Sequence, residues 1–85
     1  MEEKKIEFSA HAKYNMERRG ATEEEIKKAI NSRDWITAKR GRFECEKEFP
    51  YNREWNGKFY EHKKVRPVLI EEEHIVVITV YTFYY

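Results

Sequence analysis

The sequence predicts an α+β fold in which two N-terminal helices pack on one face of an antiparallel sheet of four to five strands, in the order β-α-α-β-β-β-β. Three observations carry this. Apolar residues recur at helical spacing through the first third of the chain, between recognisable caps. From Trp35 onward the spacing falls to two, and β-branched and aromatic residues dominate. With 85 residues, 40% of them hydrophobic, the chain fills one two-layer core and leaves no room for another, so residues 1–85 are expected to form a single domain.

Lys4 to Phe8 alternates weakly and suggests a short first strand. Ser9 is an N-cap, after which Phe8, Ala12 and Met16 fall four apart on one helical stripe. Arg18-Arg19-Gly20 closes that helix, with basic residues at the negative end of its dipole and a glycine for the left-handed cap. Thr22-x-x-Glu25 opens a second helix as a capping box; Ile26, Ala29 and Ile30 are its apolar stripe, and Asn31-Ser32 ends it. Trp35 to Lys39 is a strand and Arg40-Gly41 a turn. Arg42 to Phe49 alternates, with Phe43, Cys45, Lys47 and Phe49 on the face to be buried.

Pro50 to Gly57 has the composition of a loop. Val65 to Glu71 is a strand whose Pro67 indicates an edge or a bulge. After a turn at Glu72-Glu73, Ile75 to Tyr84 is predicted as the central strand, buried on both faces. Val76, Ile78 and Val80 are expected to meet the helices, with Thr79 and Tyr81 on the opposite face. Strands joined by short loops are expected to be antiparallel.

Charged residues make up 39% of the chain, yet the net charge is only +1, which excludes a polybasic nucleic-acid coat and an acidic tail protein. The neutrality is uneven. Residues 1–32 sum to zero, 33–66 to +4 and 67–85 to −3, with Trp35, Phe43, Tyr51, Trp55, Phe59 and Tyr60 interleaved in the basic middle. Cations among aromatics can hold phosphates and stack bases; a solvated sheet face over core aromatics has the same composition. The acids are fifteen Glu and one Asp, and Gln is absent, a bias found in hyperthermophile proteins. A single cysteine permits no internal disulfide. The N-terminus lacks a signal-peptide pattern, and the longest near-apolar run is too short to span a bilayer, so a cytoplasmic protein is expected.

His11, Asn15 and Arg18 share one face of the first helix. An imidazole beside guanidinium groups suits a scissile phosphate: His moves a proton near neutral pH and Arg clamps phosphoryl oxygens. A first-turn His bonded only to backbone would show the same spacing. His62 and His74 lie beside turns, and no metal-ligand spacing connects the three histidines, so neither metal nor cofactor is expected. Cys45 is expected to be a buried structural thiol.

Phe8-Ser9-Ala10-His11-Ala12, followed by Met16, Arg19-Gly20, Thr22-x-x-Glu25 and a closing Val76-Val77-Ile78-Thr79-Val80-Tyr81, resembles a family of small prokaryotic domains of unknown function grouped with the RelE/ParE toxin superfamily. The resemblance spans about residues 6–83, and Arg66-Pro67-Val68 is similar to the family's preceding strand. The segment Pro50–Gly57 with Trp55 departs from the pattern. The resemblance implies a RelE/ParE-like fold with a curved antiparallel sheet. It also implies the toxin role of a type II toxin–antitoxin system, commonly a metal-independent mRNA endoribonuclease working alone or on the ribosome. His11, Arg19, Thr79 and Tyr81 match the family's pattern.

On this reading His11 acts as base or acid, Arg19 and Arg66 stabilise the phosphorane, and Tyr81 donates a proton or positions the substrate. Asn15, Arg18 and Thr79 bind substrate, and Lys63 and Lys64 hold flanking phosphates. The expected partners are RNA and a cognate antitoxin protein, or a second copy covering the free sheet edge and Tyr84-Tyr85. Two other functions fit the same sequence: a non-catalytic protein- or nucleic-acid-binding module, and a gyrase-directed toxin of the ParE kind.

Overall fold

The computed structural model describes residues 4–85; Met1–Glu3, which open the N-terminal segment read for a signal peptide, lie outside the described residues. β1 (Ile6–Phe8) leads into α1 (Ala10–Arg19) and α2 (Glu23–Asn31). These are followed by β2 (Ile36–Thr37), a 3-10 turn at Lys39–Gly41, β3 (Phe43–Glu44), β4 (Lys47–Trp55), β5 (Lys58–Glu71) and β6 (Ile75–Tyr84). Both helices begin where their caps require. Ser9 Oγ accepts from the Ala12 amide at 3.1 Å, and Thr22 and Glu25 exchange both bonds of the capping box. These bonds satisfy amides that have no partner within the helix. No described helix is long and apolar enough to cross a membrane.

The sheet has six strands and is mixed. Its spine is β5, fourteen residues long. β6 pairs antiparallel along one side of β5, β4 and β3 lie end to end along the other, and β2 adds to β3. β1 joins β6 in parallel, Ile6–Phe8 against Ile75–Val77. This corrects the all-antiparallel, four- to five-stranded expectation. The short-loop rule governs strands consecutive in the chain, whereas β1 is separated from the others by two helices.

Pro67 accounts for a second difference. Arg42–Phe49 is not one strand but two, β3 and the start of β4. The Cys45 amide donates to the Pro67 carbonyl at 3.3 Å, and Pro67 has no N–H to return a bond. The register is the same on both sides, Glu44 opposite Val68 and Lys47 opposite Val65, so the ladder lapses opposite the proline and resumes. Pro67 is therefore interior, not at an edge.

The expected Pro50–Gly57 loop is mostly strand. β4 continues through a bulge at Pro50–Arg53 to Trp55, and Asn56-Gly57, both at positive φ, form a two-residue hairpin turn. Pro50 is tolerated because β4 has a strand on one side only.

β6 is not buried on both faces. Ile78 is an extra residue in it: Thr79 faces Val68, yet Val77 faces Leu69. The bulge reverses which residues point inward. The buried set is Ile75, Val77 and Val80, not the expected Val76, Ile78 and Val80. Beyond Val77, where β1 ends, α1 takes the place of a strand. Ser9 donates from its amide to the Val77 carbonyl and from Oγ to the Ile78 carbonyl, each at 3.0 Å; Arg19 Nη1 donates to the Val80 carbonyl at 2.8 Å. The chain's own helix thus covers this stretch of β6, while β4 keeps an open edge.

The core is one cluster. Ile26, Ala29 and Ile30 of α2 and Ala12 of α1 meet Val65, Leu69, Ile75, Val77 and Val80 of the sheet, with Cys45 beside them. Each fully buried Ile or Leu contributes roughly 1.5–3 kcal/mol.

Candidate functional site

The bonds that hold α1 to β6 also aim its polar face. At the C-terminal end, the Arg19 carbonyl accepts from Thr82 Oγ1 at 2.9 Å and from Tyr84 Oη at 2.7 Å. The next carbonyl, that of Gly20, accepts from the Lys63 ammonium, which also bonds Glu25 Oε1 at 2.8 Å. Gly20 sits at φ 77°, and a Cβ there would lie 2.6 Å from Tyr84 Oη and 2.7 Å from the Trp55 ring. Only glycine lets β6 and the β4–β5 hairpin approach the helix end this closely.

The result is an open cleft of about 410 Å³ between α1 and the outer side of β6, lined by His11, Asn15, Arg18, Arg19, Thr79 and Tyr81 and closed by Arg42 ahead of β3. Asn15, 2% exposed, is its hub. Its Nδ2 donates to Thr79 Oγ1 at 2.9 Å and meets His11 Nε2 at 3.0 Å, and its Oδ1 accepts from Arg18 Nη2 at 3.3 Å. The Arg18 guanidinium lies 5.5 Å from the Tyr14 ring centre, and that of Arg19 lies 5.0 Å from the Tyr81 ring centre.

Among the described residues, no carboxylate lines the cleft, and none forms an ion pair with Arg18, Arg19 or Arg42. Three uncompensated guanidiniums make the cleft a strong attractor for an oxyanion, and their planar forks match phosphate geometry. Arg18, Arg19 and Tyr81 also border a depression of about 440 Å³ that continues toward Trp55, Asn56 and Phe83. The groove thus runs from His11, past the arginines, to an aromatic ring that is 41% exposed.

His11, Asn15, Arg18, Arg19, Thr79 and Tyr81, singled out in the sequence, meet in this cleft. Lys63, Lys64 and Arg66 do not. Lys63 is on the helix side of the sheet, 3% exposed and held by Gly20 and Glu25, so it is a brace and offers nothing to a flanking phosphate. Arg66 is paired with Glu46 through Nε at 3.1 Å and Nη2 at 2.8 Å, over the Phe83 ring. Lys64 lies over the Tyr85 ring, and both border a separate hollow on the outer sheet face.

Arg42 and Tyr14 are the cleft residues that sequence reasoning missed. Arg42 stands on the alternation's solvent face, and only pairing of β3 with β5 brings it opposite α1. Cys45 is buried, and burial, with Asp34 and Glu44 nearby, pushes its thiol up to about 12. Among the described residues, no group of His, Cys, Asp or Glu side chains is arranged to hold a metal ion.

No family model, curated protein or solved structure matches the chain.

Proposed function

We propose that this protein is an endoribonuclease acting on mRNA without a metal, alone or on the ribosome, and that it is the toxin of a type II toxin–antitoxin pair with a RelE/ParE-like fold. One observation carries the reading: an imidazole, two phenols and three guanidiniums share one cleft that no carboxylate of the described residues lines. A cleft lined by cations repels a divalent metal and attracts a phosphodiester. The extension toward Phe83 suits a neighbouring base, because stacking on an exposed ring holds single-stranded RNA without regard to sequence. The motif resemblance supplies the biological role and the antitoxin partner.

In the reaction the ribose 2′-OH attacks the adjacent phosphorus while its proton passes to water in the open cleft. The P–O5′ bond breaks, and the leaving 5′ oxygen takes a proton from His11 or Tyr81. The products are a 2′,3′-cyclic phosphate and a 5′-OH. Arg18, Arg19 and Arg42 hold the charge that grows on the phosphoryl oxygens, the kind of preorganised stabilisation that usually dominates such catalysis.

The test is cleavage of RNA by the purified chain in EDTA, with and without ribosomes, with end-group analysis. Cyclic phosphate ends and a loss of about 10²-fold or more in His11→Ala are expected. Equal product from wild type and His11→Ala in both settings would overturn the proposal, and RNA binding without cleavage would leave a binding module.

A further inference from the structure

We infer that Asn15 is a positioning residue that sets the tautomer of His11, so that the imidazole meets a ligand through Nδ1–H and not through Nε2.

The inference starts from Arg18, which can only donate. Its Nη2 lies 3.3 Å from one end of the Asn15 amide, and the Tyr14 ring supports the guanidinium from the side. That end of the amide must be the oxygen, because an NH₂ there would set donor against donor. The nitrogen then faces the other way, and its two hydrogens match the two remaining neighbours, Thr79 Oγ1 at 2.9 Å and His11 Nε2 at 3.0 Å. An N–H aimed at Nε2 requires a lone pair on Nε2. In the neutral ring the proton therefore sits on Nδ1.

The arrangement is stiff because Asn15 is 2% exposed and its amide oxygen and both amide hydrogens are used. Rotating the amide would bury a mismatch with Arg18, and an unsatisfied buried polar group costs about 1–3 kcal/mol. His11 itself is exposed at the mouth of the cleft, and among the described residues its Nδ1 forms no hydrogen bond.

The consequence for chemistry rests on the endoribonuclease reading. Nε2 is occupied by the Asn15 amide, whereas Nδ1–H is free to donate a hydrogen bond. His11 then holds the leaving 5′ oxygen through Nδ1–H and keeps its proton, because giving it up from the neutral ring would leave an imidazolate. As the P–O5′ bond breaks, the proton the oxygen takes comes from the Tyr81 hydroxyl, which lines the same cleft.

Long-range ¹H–¹⁵N correlation spectra of the full chain, recorded well above the ordinary imidazole titration range, read the tautomer directly. Wild type should show His11 mainly protonated at Nδ1, the opposite of the form a free histidine side chain prefers. Asn15→Asp replaces the donor by a group that only accepts and should move the proton to Nε2. Arg18→Ala, at an exposed position, should release the amide to rotate and give a mixture of forms. An Nε2–H signal at His11 in wild type overturns the inference, even if Asn15→Asp does not fold. RNA cleavage is scored in the same samples. The Nδ1–H tautomer without cleavage sustains Asn15's positioning role and refutes the endoribonuclease; cleavage with an Nε2–H tautomer does the reverse.

Discussion

Lys63 sits 2.8 Å from Glu25, the residue that closes the capping box of α2, and bonds the Gly20 carbonyl that ends α1. One buried ammonium therefore ties the sheet's spine to the junction between the helices. It also places a positive charge at the negative end of the α1 dipole. Replacing Lys63 by Met leaves Glu25 with only its capping-box partner and should destabilise the fold by about 3 kcal/mol, the lower end for a broken buried pair, since Glu25 is partly exposed. Urea unfolding measures this, and a double replacement with Glu25→Gln should recover part of the loss.

Gly20→Ala meets two obstacles, a left-handed backbone and a Cβ within 2.6 Å of Tyr84 Oη. Gly57, at φ 84° with open space around it, meets only the first. Gly57→Ala is expected to cost about 1 kcal/mol and Gly20→Ala about 2–4 kcal/mol. Equal shifts in denaturation midpoint would show that the contact with Tyr84 and Trp55 carries no weight.

Arg42→Ala should weaken single-stranded RNA binding and flatten its salt dependence by about 0.7 in log–log slope, the share of one phosphate contact. Arg66→Ala should leave the slope unchanged, because Glu46 already neutralises that guanidinium. Fluorescence anisotropy titrations across a salt series separate the two.

Phe83→Ala removes an exposed ring from the end of the groove. A loss of about 1–3 kcal/mol in RNA binding, roughly 5- to 150-fold, is expected if a base stacks there. Thermal stability should change little. Binding unchanged from wild type would confine the ligand to the part of the cleft around His11.

Burial holds the Cys45 thiol, ordinarily at 9.0, up to about 12, and burial together with Tyr51 does the same to the Tyr84 phenol, ordinarily at 10.0. Between these values the unfolded chain has released protons that the folded chain keeps. The stability that these two groups contribute is therefore fully present below about pH 9 and is lost as the pH rises toward 12. Urea midpoints at the two ends of that window should show the decline, and Cys45→Ala should remove the part that begins near 9.

Both helices and the face that carries His11, Asn15 and Arg18 were legible because their causes are local. A cap acts within a turn, and side chains four apart share a helical face whatever lies beyond. The hairpin was not read: Pro50, Asn52 and the surrounding polar residues gave all of Pro50–Gly57 the composition of a loop. Pro50 fits a strand only because β4 is an edge, which is a property of the sheet.

What the amino-acid order by itself determined was the two capped helices, the change to strand periodicity at Trp35 and the cluster of chemically able residues on α1. The tertiary structure alone decided the rest. It inserted Ile78 as a bulge and so reversed the inward side of β6, buried Lys63 as a brace, paired Arg66 with Glu46 and brought Arg42 to the cleft. The physical reason is range. A helix's bonds join residues three or four apart, whereas Asn15 meets Thr79 and Lys63 meets Gly20 across separations of 64 and 43 residues. The role of each such side chain depends on a partner that no local pattern names.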